Sequence, residues 1–188
     1  MNATEVRDRL VKGLYQHFGG RVPVYRSGQV SGEQTPPYVI YAVTGAGGRG
    51  GTMGHYAVFR KGDCAEEIRG EQRSMSLSFT ACSQNREGED GSRIFGEDEA
   101  QGIAEEAQGW FVHAGYDYLS RNNIVVSDVT EIQGRNVLMV DEELNRKGFD
   151  VICSYAAEDR RRISVVEKVS IKKKEDGNEG CSSVGEGG

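Results

Sequence analysis

The feature that most constrains the fold is a strictly alternating stretch between Ser74 and Cys82. Its apolar members are Met75, Leu77, Phe79 and Ala81. An apolar period of two predicts a β-strand with one buried face, because successive side chains point to opposite faces of a sheet. The other face carries serine and threonine, which can meet solvent or a polar partner. No nucleophile-elbow pattern surrounds these serines, so we interpret them as the outer face of a sheet and not as catalytic groups.

Two amphipathic helices are predicted to pack against the sheet. The first spans Thr4–Phe18, with Asn2 or Thr4 as its cap and Gly19-Gly20 at its end. The second runs from Glu97 to about Leu119, and its first turn is acidic, as the helix dipole favours. Its predicted buried face comprises Ile103, Ala107, Trp110, Phe111, Ala114 and Tyr118.

Runs of β-branched and aromatic residues predict further strands. These are Tyr38–Thr44, Ile124–Val129, Val137–Val140 and Phe149–Tyr155, and a last strand that begins at Arg160 after a turn at Glu158-Asp159. Short connections between such runs imply antiparallel neighbours. The predicted fold class is therefore α+β, with two helices packed on a mainly antiparallel β-sheet. We expect one domain over residues 1–171, because 188 residues can bury a single core.

A glycine-rich stretch follows the strand Tyr38–Thr44. Gly45–Gly50 matches G-x-G-x-x-G, the spacing that lets a dinucleotide approach a helix N-terminus. A helix must follow such a loop, yet more glycine follows here and no βαβ unit is visible. We therefore interpret these glycines as a flexible loop and disfavour nucleotide binding.

We expect residues 45–69 to form a protruding, glycine-hinged arm that contains a small hairpin. The candidate contacts of this arm with a neighbouring subunit are Met53, His55, Tyr56 and Phe59. The alternative is a surface loop that folds back on its own domain.

The C-terminal residues 172–188 contain lysine, glutamate, glycine and serine with almost no apolar side chains, so alone this tail should be disordered. We expect a neighbouring chain to order it, which makes Lys172, Lys173 and Lys174 further contact candidates.

Charge and motif content exclude several function classes. The net charge of −6 argues against nonspecific wrapping of nucleic acid, whose affinity comes mostly from neutralised phosphates. His113 has no second histidine or cysteine nearby, so we predict no metal and no cofactor. No apolar run reaches the roughly 20 residues that span a bilayer. The start of the chain lacks a secretory signal, so we expect synthesis in a reducing cytoplasm, with free cysteines.

Several short sequences between Trp110 and Val151 carry a resemblance to a known family. They are Trp110-Phe111 in the second helix, Asn122-Asn123-Ile124 after it, and Arg146–Val151 in the penultimate strand. With the order of the elements, they resemble bacteriophage neck or tail terminator proteins. This resemblance implies a small α/β domain that forms a ring, typically sixfold, at the head–tail junction. Such a ring caps the tail tube and presents a surface to the head connector.

The resemblance also implies a structural virion protein of the tail or neck, assembled in the host cytoplasm, and not an enzyme. Its expected partners are copies of itself, the tail tube protein and a head-completion or connector protein, with a tail sheath as a further candidate. DNA would pass through the lumen without specific binding. Two alternatives stay open. One is another neck, connector or baseplate adaptor protein, and the other is an enzyme that uses Gly45–Gly50 for a nucleotide or His113 with Asp117 for hydrolysis.

Overall fold

The computed structural model describes residues 1–29, 34–49, 54–61, 64–88, 91–136 and 144–164. The helices are α1 (Ala3–His17), α2 (Gly96–Gly109) and α3 (Tyr116–Arg121), with a π-helical segment (Trp110–Ala114) between α2 and α3. The strands are β1 (Val24–Arg26), β2 (Tyr38–Arg49), β3 (His55–Lys61), β4 (Cys64–Gln84), β5 (Arg86–Glu87), β6 (Arg93–Ile94), β7 (Ile124–Val129), β8 (Gln133–Gly134) and β9 (Leu144–Ser164).

The fold is α+β, as predicted. Seven strands form one mixed sheet in the order β1-β2-β4-β9-β7, with β3 paired to β4 and β8 paired to β9. β1 and β2 are parallel and the other pairs in this sheet are antiparallel. β5 and β6 form a separate two-stranded ribbon. The predicted strand Val137–Val140 lies outside the described residues.

Helix α1 forms where the apolar spacing predicts it. The Asn2 side chain accepts a hydrogen bond from the Glu5 backbone N–H at 2.9 Å, and the Glu5 carboxylate accepts one from the Asn2 N–H at 3.2 Å. This reciprocal cap satisfies backbone donors that have no partner within the helix. The buried residues are Val6, Leu10 and Leu14, with Phe18 at the C-terminal cap. Gly19 and Gly20 follow with positive φ and end the helix.

The core lies between the helices and the alternating face of β4 and β9. Phe79 of β4 is fully buried, with its ring centroid 4.9 Å from that of Phe111 and 5.9 Å from that of Phe149 on β9. The alternation predicted for β4 is confirmed, because Met75, Leu77, Phe79 and Ala81 are buried, and Phe149, Val151, Cys153 and Tyr155 of β9 are buried in the same alternating way. Cys82 is also buried.

The second helix is divided where a single helix was predicted. The π-helical segment adds residues to a turn, which rotates the side chains that follow it. Ala114 is therefore exposed, although the helical period had placed it in the core, and Leu119 is buried in α3 instead. Trp110 and Phe111 are buried as predicted.

The two longest strands, β4 and β9, have 21 residues each and pair without a register break from Cys64–Ser164 to Gln84–Leu144. The turn predicted at Glu158-Asp159 is therefore wrong. Asp159 lies opposite Arg69 in the ladder, and its carboxylate accepts a hydrogen bond from Arg73 at 3.0 Å. An acidic pair that suggests a turn fits a strand when basic residues face it.

The loop predicted at Gly45–Gly50 is also wrong over its described part. Gly45–Arg49 continues β2 and pairs with β4 through two register shifts. Gly47 has φ of +76°, and a Cβ on Gly48 would lie 2.5 Å from Ser74 Oγ. These glycines thus permit a bulged strand that lies close to β4, and the next element of the described residues is strand β3.

Candidate assembly surfaces

Beyond the part of the sheet that the helices cover, three strands continue as a ribbon. It comprises β3, residues 64–73 of β4 and residues 155–164 of β9, and from here on we call these residues the arm, in place of the predicted range 45–69. At its base, Tyr155 and Ala157 still belong to the buried core. The predicted hairpin is present as the β3–β4 pair. Tyr56, Val58 and Phe59 of β3 are each more than half exposed. An edge strand with exposed aromatic and branched side chains is a typical contact surface.

The predicted arm contacts divide between its two faces. Tyr56 lies opposite Arg69, on the same face as the buried residues of β4, and so does Val58. His55 and Phe59 lie on the reverse face. The arm therefore presents apolar groups in two directions. Met53 and Lys172–Lys174 lie outside the described residues.

A buried carboxylate lies at the base of the arm. Glu71 is 6% exposed, and it accepts hydrogen bonds from Arg69 and from Arg73 Nε, the latter at 2.5 Å. Arg73 Nη2 also donates to Asp159 at 3.0 Å. The hydrogen bond to Glu71 raises the pKa of the Arg73 guanidinium, which keeps it charged. We call Arg69, Glu71, Arg73 and Asp159 the base cluster, and its mutual pairing satisfies a charge that would otherwise destabilise the fold.

Ion pairs also line the arm beyond the base cluster. Arg161 of β9 donates to Glu67 on the neighbouring β4, and Arg160 Nη2 donates to Glu158 at 3.0 Å. The hydrogen bond to Glu67 raises the pKa of Arg161. The pairs Arg161–Glu67 and Arg73–Asp159 thus link β9 to β4 by charge along part of the arm, next to the buried Ala65 and Ala157.

A groove of about 1070 Å³ runs along the sheet edge beside the base of the arm. Its walls include all of β7 and residues of the π-helical segment and α3. β7 is the last strand of the sheet, so among the described residues its outer edge has no partner strand. Val112, Tyr116 and Val125 line this groove and are each more than half exposed. The groove combines free backbone groups with apolar side chains, as sites that bind an extended segment do.

The groove is acidic. Asp128, Glu158 and Glu71 line it, and no lysine or arginine does so in the described part of the chain. Glu71 is neutralised by the base cluster and Glu158 accepts a hydrogen bond from Arg160. Asp128 has no ion pair within the described ranges. A basic segment is therefore the electrostatic complement of the groove.

The hydroxylated outer face of β4 is partly covered by the chain itself. Arg135 donates to Ser78 and, at 3.2 Å, to Thr80 Oγ1, and its Nη2 donates to Asp150 at 2.9 Å. Burial raises the pKa of Asp150, but the hydrogen bonds from Arg135 and Ser78 outweigh burial and lower it. This face is less available to a partner than its small side chains indicate.

The described residues show no site geometry that would support either enzymatic alternative. Gly45–Arg49 is a paired strand, and His113 and Asp117 are both exposed on the helical side. No group of three or more His, Cys, Asp or Glu side chains in the described ranges is arranged to hold a metal ion. Burial raises the pKa of Cys82 and of Cys153 to about 11, so both thiols are protonated at neutral pH. None of the described helices is long and apolar enough to cross a membrane.

Sequence reasoning missed the base cluster and the groove. The cluster had a usable signal, because Arg69, Glu71 and Arg73 alternate in step with Met75 and Leu77 and so extend the same strand face. The groove had no comparable signal. The groove is formed between the exposed Val112 and Tyr116 and the free edge of β7, and that edge depends on the strand order.

Comparison with known proteins identifies the family. A family model described as "Phage neck terminator protein" matches residues 8–178, which is most of the chain. A comparison with curated protein sequences gives no match. The matched range includes both long strands, the arm and the groove. The chain therefore belongs to the phage neck terminator family, whose members are structural proteins of the phage head–tail region.

Proposed function

We propose that this chain forms a closed ring, of six copies, at the head–tail junction. The ring caps the tail tube and joins it to the head connector. It needs no chemistry for this, because a ring whose second face differs from a tube subunit offers no template for further growth. The arm supplies contacts between neighbouring copies or with the tube, and residues 172–188 supply a further contact.

The observation that carries this proposal is the arm. β4 and β9 extend beyond the helices as a ribbon whose strands are held by their own ion pairs, while β3 exposes Tyr56, Val58 and Phe59. Exposed apolar side chains on an ordered ribbon favour contact with another protein. A ribbon that projected only into solvent would gain nothing from these side chains.

The net charge of −6 is consistent with a ring that surrounds DNA. Like charges repel, so an acidic lumen would let DNA pass without binding it. This charge supports the proposal without requiring it.

The test uses phage tails assembled without this protein. The purified chain is added to such tails and to DNA-filled heads, and joined particles are counted in electron micrographs. We expect uniform tail ends with an added ring and the recovery of joined particles. A chain that binds tails at the opposite end would contradict the terminator role and indicate a baseplate adaptor instead.

A further inference from the structure

We propose that the groove beside β7 binds residues 165–174 of a neighbouring copy as an added β-strand. This inference rests on the proposed ring, because the segment of each copy would lie on the next copy. It names an occupant and a contact surface that the ring itself does not specify.

The outer edge of β7 can accept a further strand. Ile124–Val129 pairs with β9 on one side, and the described residues place no strand on the other. The groove is lined by Val125 from the outer face of the sheet and by Ile124 from the core face, so part of it lies along this edge, and the rest extends past Tyr155 of β9 to Gly70–Gln72 of β4. An extended segment placed there would satisfy the backbone donors and acceptors of that edge.

The residue types of the segment are suited to an added β-strand. Residues 165–174 read Val-Val-Glu-Lys-Val-Ser-Ile-Lys-Lys-Lys. Val165, Val169 and Ile171 would lie on one face of an extended chain, with Glu167 between them, which suits a strand whose apolar side chains lie beside Val125 on the outer side of the sheet. β-branched residues of this kind favour an added strand over a helix.

The segment and the groove carry opposite charges. The segment carries four lysines and one glutamate, whereas the charged residues that line the groove are acidic, apart from a histidine. Asp128 has no ion-pair partner among the described residues and lies on β7 itself. Lysines from the incoming segment would lie close to Asp128 and Glu158, which gives both affinity and register.

Chain length assigns the segment to a neighbour. Tyr155 lies opposite Ile124 at the start of β7, and Ser164 lies nine residues further along β9, about 30 Å away at 3.3 Å per residue. A segment that turned back along its own β9 would use nearly all of residues 165–174 before it reached Ile124. The apolar residues of the segment can therefore reach β7 only on another copy.

The test is cross-linking between two tagged versions of the full chain, both with Cys64→Ser and Cys181→Ser. One carries Val125→Cys and the other Ile171→Cys, and the two are co-expressed and treated with a short bismaleimide. We expect a cross-link between the two tags. A matched control replaces Val125→Cys by Tyr15→Cys, an exposed position on α1 outside the groove, and should give no cross-link.

Native mass spectra of the same samples separate this inference from the proposed function. Rings without the cross-link would overturn the inference and would still support the proposed ring. The absence of both would overturn both. A chain that carries both cysteines and cross-links only to itself would also overturn the inference, because its own segment would then occupy the groove.

Charge reversal tests the specificity of the contact. Replacing Lys172, Lys173 and Lys174 by glutamate should lower the yield of cross-linked product about tenfold. Adding Asp128→Lys and Glu158→Lys to that chain should restore most of it. Lys12→Glu is the control, as an exposed lysine on α1, and should change nothing. Equal losses for the triple variant and the control would contradict the proposal.

Discussion

The two halves of the β4–β9 strand pair have the same backbone pairing, but their side chains contact different partners. Both halves belong to a single ladder without a register break. In the covered half, Leu77 and Phe79 face the helices and are fully buried. In the arm, the same strand face carries Arg69 and Glu71, which pair with each other.

This difference marks where the apolar face of β4 and β9 ends. Apolar alternation requires a cover, and α1, α2 and the π-helical segment provide it for the covered half. In the arm, Arg69 and Arg73 pair with the buried Glu71 on β4, and Arg161 of β9 pairs with Glu67 of β4, so charged side chains satisfy one another where the apolar alternation ends. The backbone pairing thus sets the length of the strands, while the side chains decide where the covered body ends and the arm begins.

Phe79→Ala should give the largest effect, because it removes the centre of the covered half. We expect a loss of about 3–5 kcal/mol in the free energy of unfolding, as a fully buried ring leaves a cavity. Urea denaturation measures it. Phe59→Ala is the matched control in the arm, and a similar loss there would break the comparison between the two halves.

Glu71→Gln should cost about 2 kcal/mol, since it weakens two charged hydrogen bonds in a buried cluster. The loss should be accompanied by faster hydrogen exchange in the arm and unchanged exchange around Phe79. Glu131→Gln, at an exposed position, serves as the control. Uniform exchange changes across both halves would show that the base cluster does not separate them.

Glu99→Gln should cost about 1 kcal/mol at pH 7 and change the pH dependence of stability. Arg86 donates to Glu99 through two nitrogens, at 2.6 and 2.7 Å, and this pairing lowers the pKa of the carboxyl below its ordinary 4.5. The stabilisation is therefore present above pH 4.5 and is lost as the pH falls through the folded-state pKa. Between pH 3 and 7 the free energy of unfolding should therefore change less in the variant than in the wild type, by about 1 kcal/mol. A variant that keeps the full pH dependence would refute this assignment.

Tyr56→Ser combined with Val58→Ser should have the smallest effect on folding, about 0.5 kcal/mol or less, because both side chains are exposed. Ring formation should nevertheless weaken. Phe59→Ser probes the reverse face of the arm. Comparing the ring yields of the two variants identifies the face that carries the contact. If both variants form rings as well as the wild type does, the arm is not part of the interface.

Sequence periodicity predicted most of the helices and strands but not the lengths of the longest strands. Phe79, Trp110 and Phe111 were placed correctly in the core because a period of two or of about 3.6 is set by local geometry. The length of β9 was missed because Glu158 and Asp159 resemble a turn when their partners on β4 are unknown. Gly45–Arg49 was missed because a long partner strand overrides the low strand propensity of glycine. The groove depends on strand order and on a π-helical segment, and neither has a short-range signal.

The most direct test of the ring and its arm is native mass spectrometry of the purified chain, with electron micrographs of the same sample. We expect closed rings with a mass six times 20.6 kDa, and their loss in the Tyr56→Ser, Val58→Ser variant although that variant stays folded. Monomers or dimers of the wild-type chain at every concentration and ionic strength would contradict it.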